Sequence, residues 1–581
     1  MGALWHGFSD MGAVSADGAF VLHRGEGAYV WDTAGIRYLD VTAGLWFANV
    51  GHGRTEIAER VGEQLGRLAA YSGFGDYTVD VTVELAERLS AMAPVPDSKV
   101  LFGSGGSDSV ETAAKLARRY WHEVGQPDKR IVIGRQKAYH GMHYAGTALS
   151  GLPPNREGYG ELVTDAETVA WNSAADLDHT IERLGARNVA AFFCEPVEGA
   201  GGVWPPPDGY LAEARAVCRR HDVLFVADEV VTGFGRIGGT WFASSRFGLE
   251  PDIVTTAKGL TSGYVPMGAT LVAPRVAEPF FRSGAGVWWR HGYTYGGHAG
   301  AAVAAMANLD IIEREHLLDA AARLEKSLPA LLGPLAELDS VTEVRAGVGA
   351  LAAVQLADSA EALDAAKRLR SHGIATRAVG AGGIQVSPPF VMTDDEVQTL
   401  ASALTAVLSR RPLRHTTRRR YVTHSMTARV SRADVIQPAV GTPPHSCRPA
   451  AGPRRQQTNR RRSARPRSGR RTRPGPREDR ERAGAAPCHL REPPGSAAGH
   501  PECVARRADA GRHRPPRPLG DRPTGHRGRP CRSRPYARPA YSEEASRDDG
   551  IRERSRSRPS SVHRRAGRAR PSRGGDAACR A

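Results

Sequence analysis

Lysine is nearly missing from this chain. Of 79 basic residues among its 581, only seven are lysines, at positions 99, 115, 129, 137, 258, 326 and 367. Cysteine is scarce too: seven in all, with Cys194 and Cys218 in apolar segments and the other five beyond residue 410. None shows CxxC or metal-finger spacing, which argues against a zinc or disulfide scaffold, predicts no metal site, and favours buried reduced thiols. No apolar stretch approaches the roughly 20 residues of a membrane span. The start of the chain has no basic segment followed by an apolar one. Neither a membrane protein nor a secreted one is expected, and the cytoplasm is the predicted compartment. No internal repeat is visible.

The net charge of +17 would by itself suggest a nucleic-acid partner. It is unevenly distributed, however. Residues 411 to 581 hold 44 arginines, no lysine and 14 acidic residues, a net +30, which leaves −13 for residues 1 to 410. All nine tryptophans and all fourteen phenylalanines lie in that acidic front part, so only it can bury a core. The rear part, rich in Arg, Pro, Gly, Ser and His, is expected to be a disordered tail. Its composition favours an accidental extension, produced by a lost reading frame near residues 410 to 430, over a natural basic arm.

Strand-like runs alternate with helical patterns through the middle of the front part, which predicts an α/β fold with a largely parallel sheet. Lys99–Phe102, Arg130–Ile133, Val189–Phe193, Val223–Ala227 and Asp252–Thr255 read as buried strands. Helices are predicted from about Asp108 to Trp121, from Leu211 to Arg220 and from Ala299 to Glu315. Short strands are expected at Ala28–Trp31, Val341–Val344 and Leu351–Leu356. The predicted division is residues 1–50 as the N-terminal part of a small domain, 51–315 as a large domain, 316–410 as the C-terminal part of the small domain, and 411–581 as the tail.

Ligands in such sheets bind beyond the carboxyl ends of the strands. Asp228 and Lys258 fall at two such ends. An amine that can form a Schiff base, with a carboxylate to keep a pyridine nitrogen protonated, is what pyridoxal phosphate (PLP) requires. Solvated loop residues would look the same in isolation, although Lys115, Lys326 and Lys367 fit helical surfaces and Lys258 does not. Gly103-Ser-Gly-Gly-Ser107 before a helix suits a phosphate, since glycine lets main-chain amides approach an anion at the helix start. A helix start capped by Asp108 with Glu111 behind it reads equally well, and the loop matches neither GxxxxGK[ST] nor GxGxxG. Tyr139 could lie flat on a pyridine ring or be an ordinary aromatic at a strand corner.

Four segments in this order resemble the class III, or ω-, aminotransferases. They are Glu195-Pro-Val-Glu-Gly-Ala-Gly-Gly202, Asp228-Glu-Val-Val-Thr-Gly-Phe-Gly-Arg236, Thr256-Ala-Lys-Gly-Leu-Thr-Ser-Gly-Tyr-Val-Pro-Met-Gly268 and His291-Gly-Tyr-Thr-Tyr-Gly-Gly-His298. The resemblance runs from about Ala28 to Leu408 and is greatest to the ω-amino acid:pyruvate branch. It implies the PLP-dependent transferase fold of type I, with a mostly parallel seven-stranded sheet in the large domain and a smaller α+β domain built from both ends of the folded region. It also implies roles. Lys258 forms the Schiff base and shuttles the proton, Asp228 pairs with the pyridinium, and Val230 and Tyr139 pack on the two ring faces. Gly105, Gly106 and Ser107 bind the phosphate, with glycine where the family's loop begins with serine. Thr294 reaches the phosphate of a neighbouring subunit, which makes the protein a homodimer or a dimer of dimers. Glu195 matches an acidic position near the cofactor.

For the substrate, Gly44-Leu-Trp-Phe-Ala-Asn-Val-Gly-His-Gly-Arg54 resembles the branch's pocket segment and suggests Trp46. Arg377 matches an arginine that grips a substrate carboxylate, a task suited to a bidentate guanidinium. The loop after it, Gly380-Ala-Gly-Gly383, is one residue longer than usual, and Ala299 stands where the family has proline. The expected activity is transfer of an amino group from an ω-amino acid or amine to pyruvate or a similar 2-oxo acid. Racemase, aminomutase or decarboxylase chemistry on the same fold is the first alternative, and nucleic-acid binding by the tail is the second.

Overall fold

The computed structural model describes residues 3–409. The tail and its proposed frame loss therefore lie outside the described residues.

The middle of the chain forms the expected seven-stranded sheet. Its strands run, in spatial order, Lys99–Gly103, Gly268–Val272, Ile253–Thr256, Leu224–Asp228, Val189–Cys194, Ile131–Arg135 and Ala166–Val169. All are parallel except Gly268–Val272, which is antiparallel to both of its neighbours. The central strands are apolar without alternation because both faces are covered. Phe225 and Ala227 enter one core, while Leu224 and Val226 enter the core on the other face.

Helix Gly106–Glu123 covers part of the second face with Val110, Ala113, Ala117 and Trp121. Trp121 also donates its indole N–H to Ala190 O at 2.8 Å, which satisfies a buried polar group. Cys194 and Cys218 are buried free thiols, and burial pushes Cys194 up to about 12.

Two smaller sheets lie outside the seven-stranded one, the first drawing on both ends of the described chain and the second on its C-terminal part alone. One is a meander of Leu22–Glu26, Tyr29–Asp32 and Arg37–Asp40, extended by Ile374–Ala375 parallel to the last strand. The other orders Glu343–Arg345, Ala352–Gln355, Gly383–Val386 and Ala378–Val379, all antiparallel. A single apolar cluster joins Leu39 and Val41 to Leu324, Val354, Ile384, Phe390 and Leu404.

Two strands of the large sheet were not legible in the sequence. Ala166–Val169 is a half-buried edge strand with no apolar run. Gly268–Val272 opens on a glycine whose missing side chain admits another segment: a Cβ there would stand 2.4 Å from Gly105 O and 2.7 Å from Ser109 Oγ. Gly268→Ala is accordingly expected to force the Gly105 turn outward and cost about 1–3 kcal/mol, the usual range for overpacking. A denaturant midpoint shared with the parent chain would refute this.

Candidate active site

Strand register builds the site. Leu224–Asp228 and Ile253–Thr256 pair in parallel with Asp228 opposite Thr255, and the chain leaves the sheet just before Lys258. Asp228 is almost fully buried. It accepts from Thr255 Oγ1 at 3.0 Å and Val230 N at 3.1 Å, and its second oxygen lies 2.7 Å from His140 Nδ1. His140 was not singled out from the sequence, although it directly follows Tyr139. Its Nε2 is buried without a partner among the described residues.

Lys258 adopts a left-handed backbone (φ 42°), a costly conformation for a residue with a side chain. Its amine points into a cavity of about 760 Å³, 6.0 Å from the centre of the Trp46 ring. Burial pushes this amine down to about 8 against the opposing pull of Asp228 and Glu195. Among the described residues it is the only lysine lining the cavity.

The cavity also gathers Trp46, Gly105, Gly106, Ser107, Tyr139, Glu195, Asp228, Val230 and Arg377, ten of the eleven residues singled out from the sequence once Lys258 is counted. Helix Gly106–Glu123 begins at the glycine loop, so its first-turn amides face the cavity. Val230 packs tightly on this loop, with its Cγ1 2.7 Å from where a Gly106 Cβ would lie. Ser107 Oγ accepts from Met142 N at 3.2 Å. Glu195 receives a definite structural position: its carboxylate accepts from Tyr139 N at 2.8 Å and Gly199 N at 2.9 Å. Burial, reinforced by neighbouring Glu198, pushes Glu195 up to about 8.

Thr294 is the exception. It is exposed, in the segment between helices Pro274–Phe281 and Ala299–Arg314, and does not line this chain's cavity.

Trp46 is held by a strained turn in which Ala43, Gly44 and Trp46 all have positive φ (46°, 66° and 62°). Asp40 organises that turn. Its carboxylate accepts from Thr42 N (3.0 Å), Thr42 Oγ1 (2.8 Å) and Gly44 N (2.7 Å), and lies 2.8 Å from His52 Nε2. Burial opposes its charge, yet the His52 ring and the donors around Thr42 outweigh it and hold the carboxyl below its usual value. Arg377, despite the longer loop that follows it, reaches the cavity with its guanidinium 4.6 Å from the centre of the Trp46 ring. Burial pushes Arg377 down to about 10, partly offset by the Tyr139 phenol.

Such a site, with an amine and a carboxylate at adjoining strand ends and the start of a helix facing the same cavity, is that of a group-transfer enzyme. The family model for aminotransferase class-III matches residues 11–408, and the chain belongs to that family. A putrescine–pyruvate aminotransferase of Pseudomonas aeruginosa is 36% identical over 422 residues, which span 68% of this chain and 91% of the relative. A β-alanine–pyruvate aminotransferase of the same organism is 34% identical over 414 residues, covering 67% and 92%. Among solved structures, an amine transaminase from an uncultivated Pseudomonas species, with PLP bound, superposes with a TM-score of 0.67 at 37% identity, covering 70% of this chain and 99% of that one. The family match stops where the basic tail begins.

Asp40→Ala removes the acceptor for two main-chain amides at the Trp46 turn. It is expected to destabilise the fold by roughly 1–3 kcal/mol for each donor left buried. An unfolding free energy within 0.5 kcal/mol of the parent, about the spread of neutral surface changes, would show that the turn holds without it.

Proposed function

We propose that this class III aminotransferase uses PLP to move an amino group from an ω-amino acid or amine to pyruvate or a similar 2-oxo acid. The observation that carries the reading is the depressed, cavity-facing amine of Lys258 beside Asp228. The residues fit the cofactor. The amine can take its aldehyde, the Asp228 carboxylate its ring nitrogen, and the amides at the start of helix Gly106–Glu123 its phosphate, within a cavity roomy enough for cofactor and substrate together. PLP, when bound, supplies an electron sink that eases loss of a proton from the amine-bearing carbon.

The chain does the rest. Asp228, braced by His140 and Thr255, keeps a ring nitrogen protonated. Val230 and Tyr139 offer surfaces for the two ring faces. The Lys258 amine, near 8, is neutral often enough at physiological pH to take a proton from the substrate carbon and return it elsewhere. Arg377 offers a guanidinium to a carboxylate, as ω-amino acids and 2-oxo acids both require.

We further propose a homodimer in which Thr294 serves the phosphate site of a second copy. Its exposure, with Trp288 and Tyr295 exposed in the same segment, supports this. The same segment would be available in a dimer of dimers. A cytoplasmic location is part of the same reading. Among the described residues, no helix is long and apolar enough to cross a membrane.

Lys258→Ala is expected to abolish L-alanine formation from pyruvate plus donor, and residual turnover at the parent rate would defeat the assignment. In the parent chain, the rate of cofactor capture, followed by its visible absorbance, should rise with pH through about 8 and then level, because only the neutral amine attacks. A flat profile would remove Lys258 as the nucleophile. Arg377→Ala should raise KM for acidic donors about tenfold or more while sparing neutral amines, and equal loss on both would deny it the carboxylate.

A further inference from the structure

Gln385 is fully buried in strand Gly383–Val386, whose Ile384 and Val386 enter the apolar core. A primary amide there must find partners to offset its desolvation. Its Oε1 accepts from Arg377 Nε at 2.7 Å, and its Nε2 donates to Ser387 Oγ at 2.6 Å. Ser387 Oγ in turn donates to Thr42 O at 3.2 Å, at the start of the turn that presents Trp46. The main chain adds Gln385 N to Arg377 O at 3.0 Å, and Thr376 Oγ1 donates to Gln385 O at 2.7 Å. The amide cannot be reversed, because its NH₂ would then face the Arg377 N–H, donor against donor.

Among the described residues no carboxylate pairs with Arg377, and its one side-chain hydrogen bond is the bond to Gln385. A buried guanidinium without an anion gains by turning towards water. Here the Gln385 amide and the Trp46 face oppose that turn.

We propose that Gln385 is a positioning residue that holds Arg377 in the cavity before substrate arrives, and thereby biases the site towards carboxylate-bearing substrates over neutral amines. The inference rests on the aminotransferase reading above. A carboxylate meets a fork already oriented, so little ordering is required at binding. A neutral amine meets a held cation that it can neither pair with nor readily displace.

The test uses the full-length holoenzyme and saturating pyruvate, with β-alanine and 1-phenylethylamine as donors and propionate as a non-reacting carboxylate titrated by calorimetry. In Gln385→Leu, KM for β-alanine and the Kd of propionate are expected to rise about tenfold or more, with kcat within about twofold. KM for 1-phenylethylamine should hold or fall. Gln385→Glu keeps an acceptor for Arg377 but neutralises its charge, so propionate and β-alanine weaken while the neutral amine gains nothing. Equal shifts for both donors in Gln385→Leu, or no shift in either, would overturn the proposal. Should Gln385→Leu fail to fold, Gln385→Glu and Ser387→Ala decide, and unchanged propionate affinity in both overturns it. Absence of transamination in the parent chain with every donor would instead sink the aminotransferase reading, while the propionate titrations would still test Gln385.

Discussion

The parallel pairing of Leu224–Asp228 with Ile253–Thr256 is the constraint on which the site depends. It places Asp228 opposite Thr255, so the carboxylate is braced at the sheet's carboxyl edge and Lys258 emerges three residues on, facing the same cavity. A slip of one residue would turn Asp228 to the other face of the sheet and break this geometry. Apolar side chains on both faces of these strands resist such a slip. The placement of Asp228 and Lys258 therefore inherits its precision from the hydrophobic core.

The side of the cavity formed by Trp46 and Arg377 is anchored differently. Arg377 and Trp46 come from segments more than three hundred residues apart, brought together by the short parallel pairing of Ile374–Ala375 with Arg37–Asp40 and by polar bonds beyond it. Asp40 folds the turn that carries Trp46, while Gln385 and Ser387 link Arg377 to the start of the same turn. Strained backbone occurs here as well, with left-handed conformations at Ala43 and Trp46. Such conformations persist only where the surroundings over-determine them, as these buried bonds do.

Much of the fold was legible because its strongest signals are local. The short, unbroken apolar runs at Val189–Cys194 and Leu224–Asp228 suit little besides a strand buried on both faces, and the amphipathic helix after the glycine loop was visible from its spacing. Two strands were missed for physical reasons. Ala166–Val169 is stabilised only by its pairing at the edge, and Gly268–Val272 is specified by how closely Gly105 must approach it. In the site, residues with motif company were found, whereas His140, Asp40 and Gln385 were not. Their importance lies in bonds to partners distant in sequence, and no spacing reveals those.

What the sequence determined by itself was the cast: one of only seven lysines, standing at a strand end; an aspartate at another; a glycine loop before a helix; and the restriction of core-forming residues to the acidic front part. Chemistry and composition are properties of residues and short runs, so they can be read without coordinates. Only the tertiary structure decided that Lys258 is desolvated enough to lose its proton near 8, that Glu195 braces the Tyr139 backbone, and that Arg377 is held in the cavity while Thr294 stays outside it. Each of these follows from burial or from a bond across a long stretch of chain. Such effects exist only once the strands have found their register.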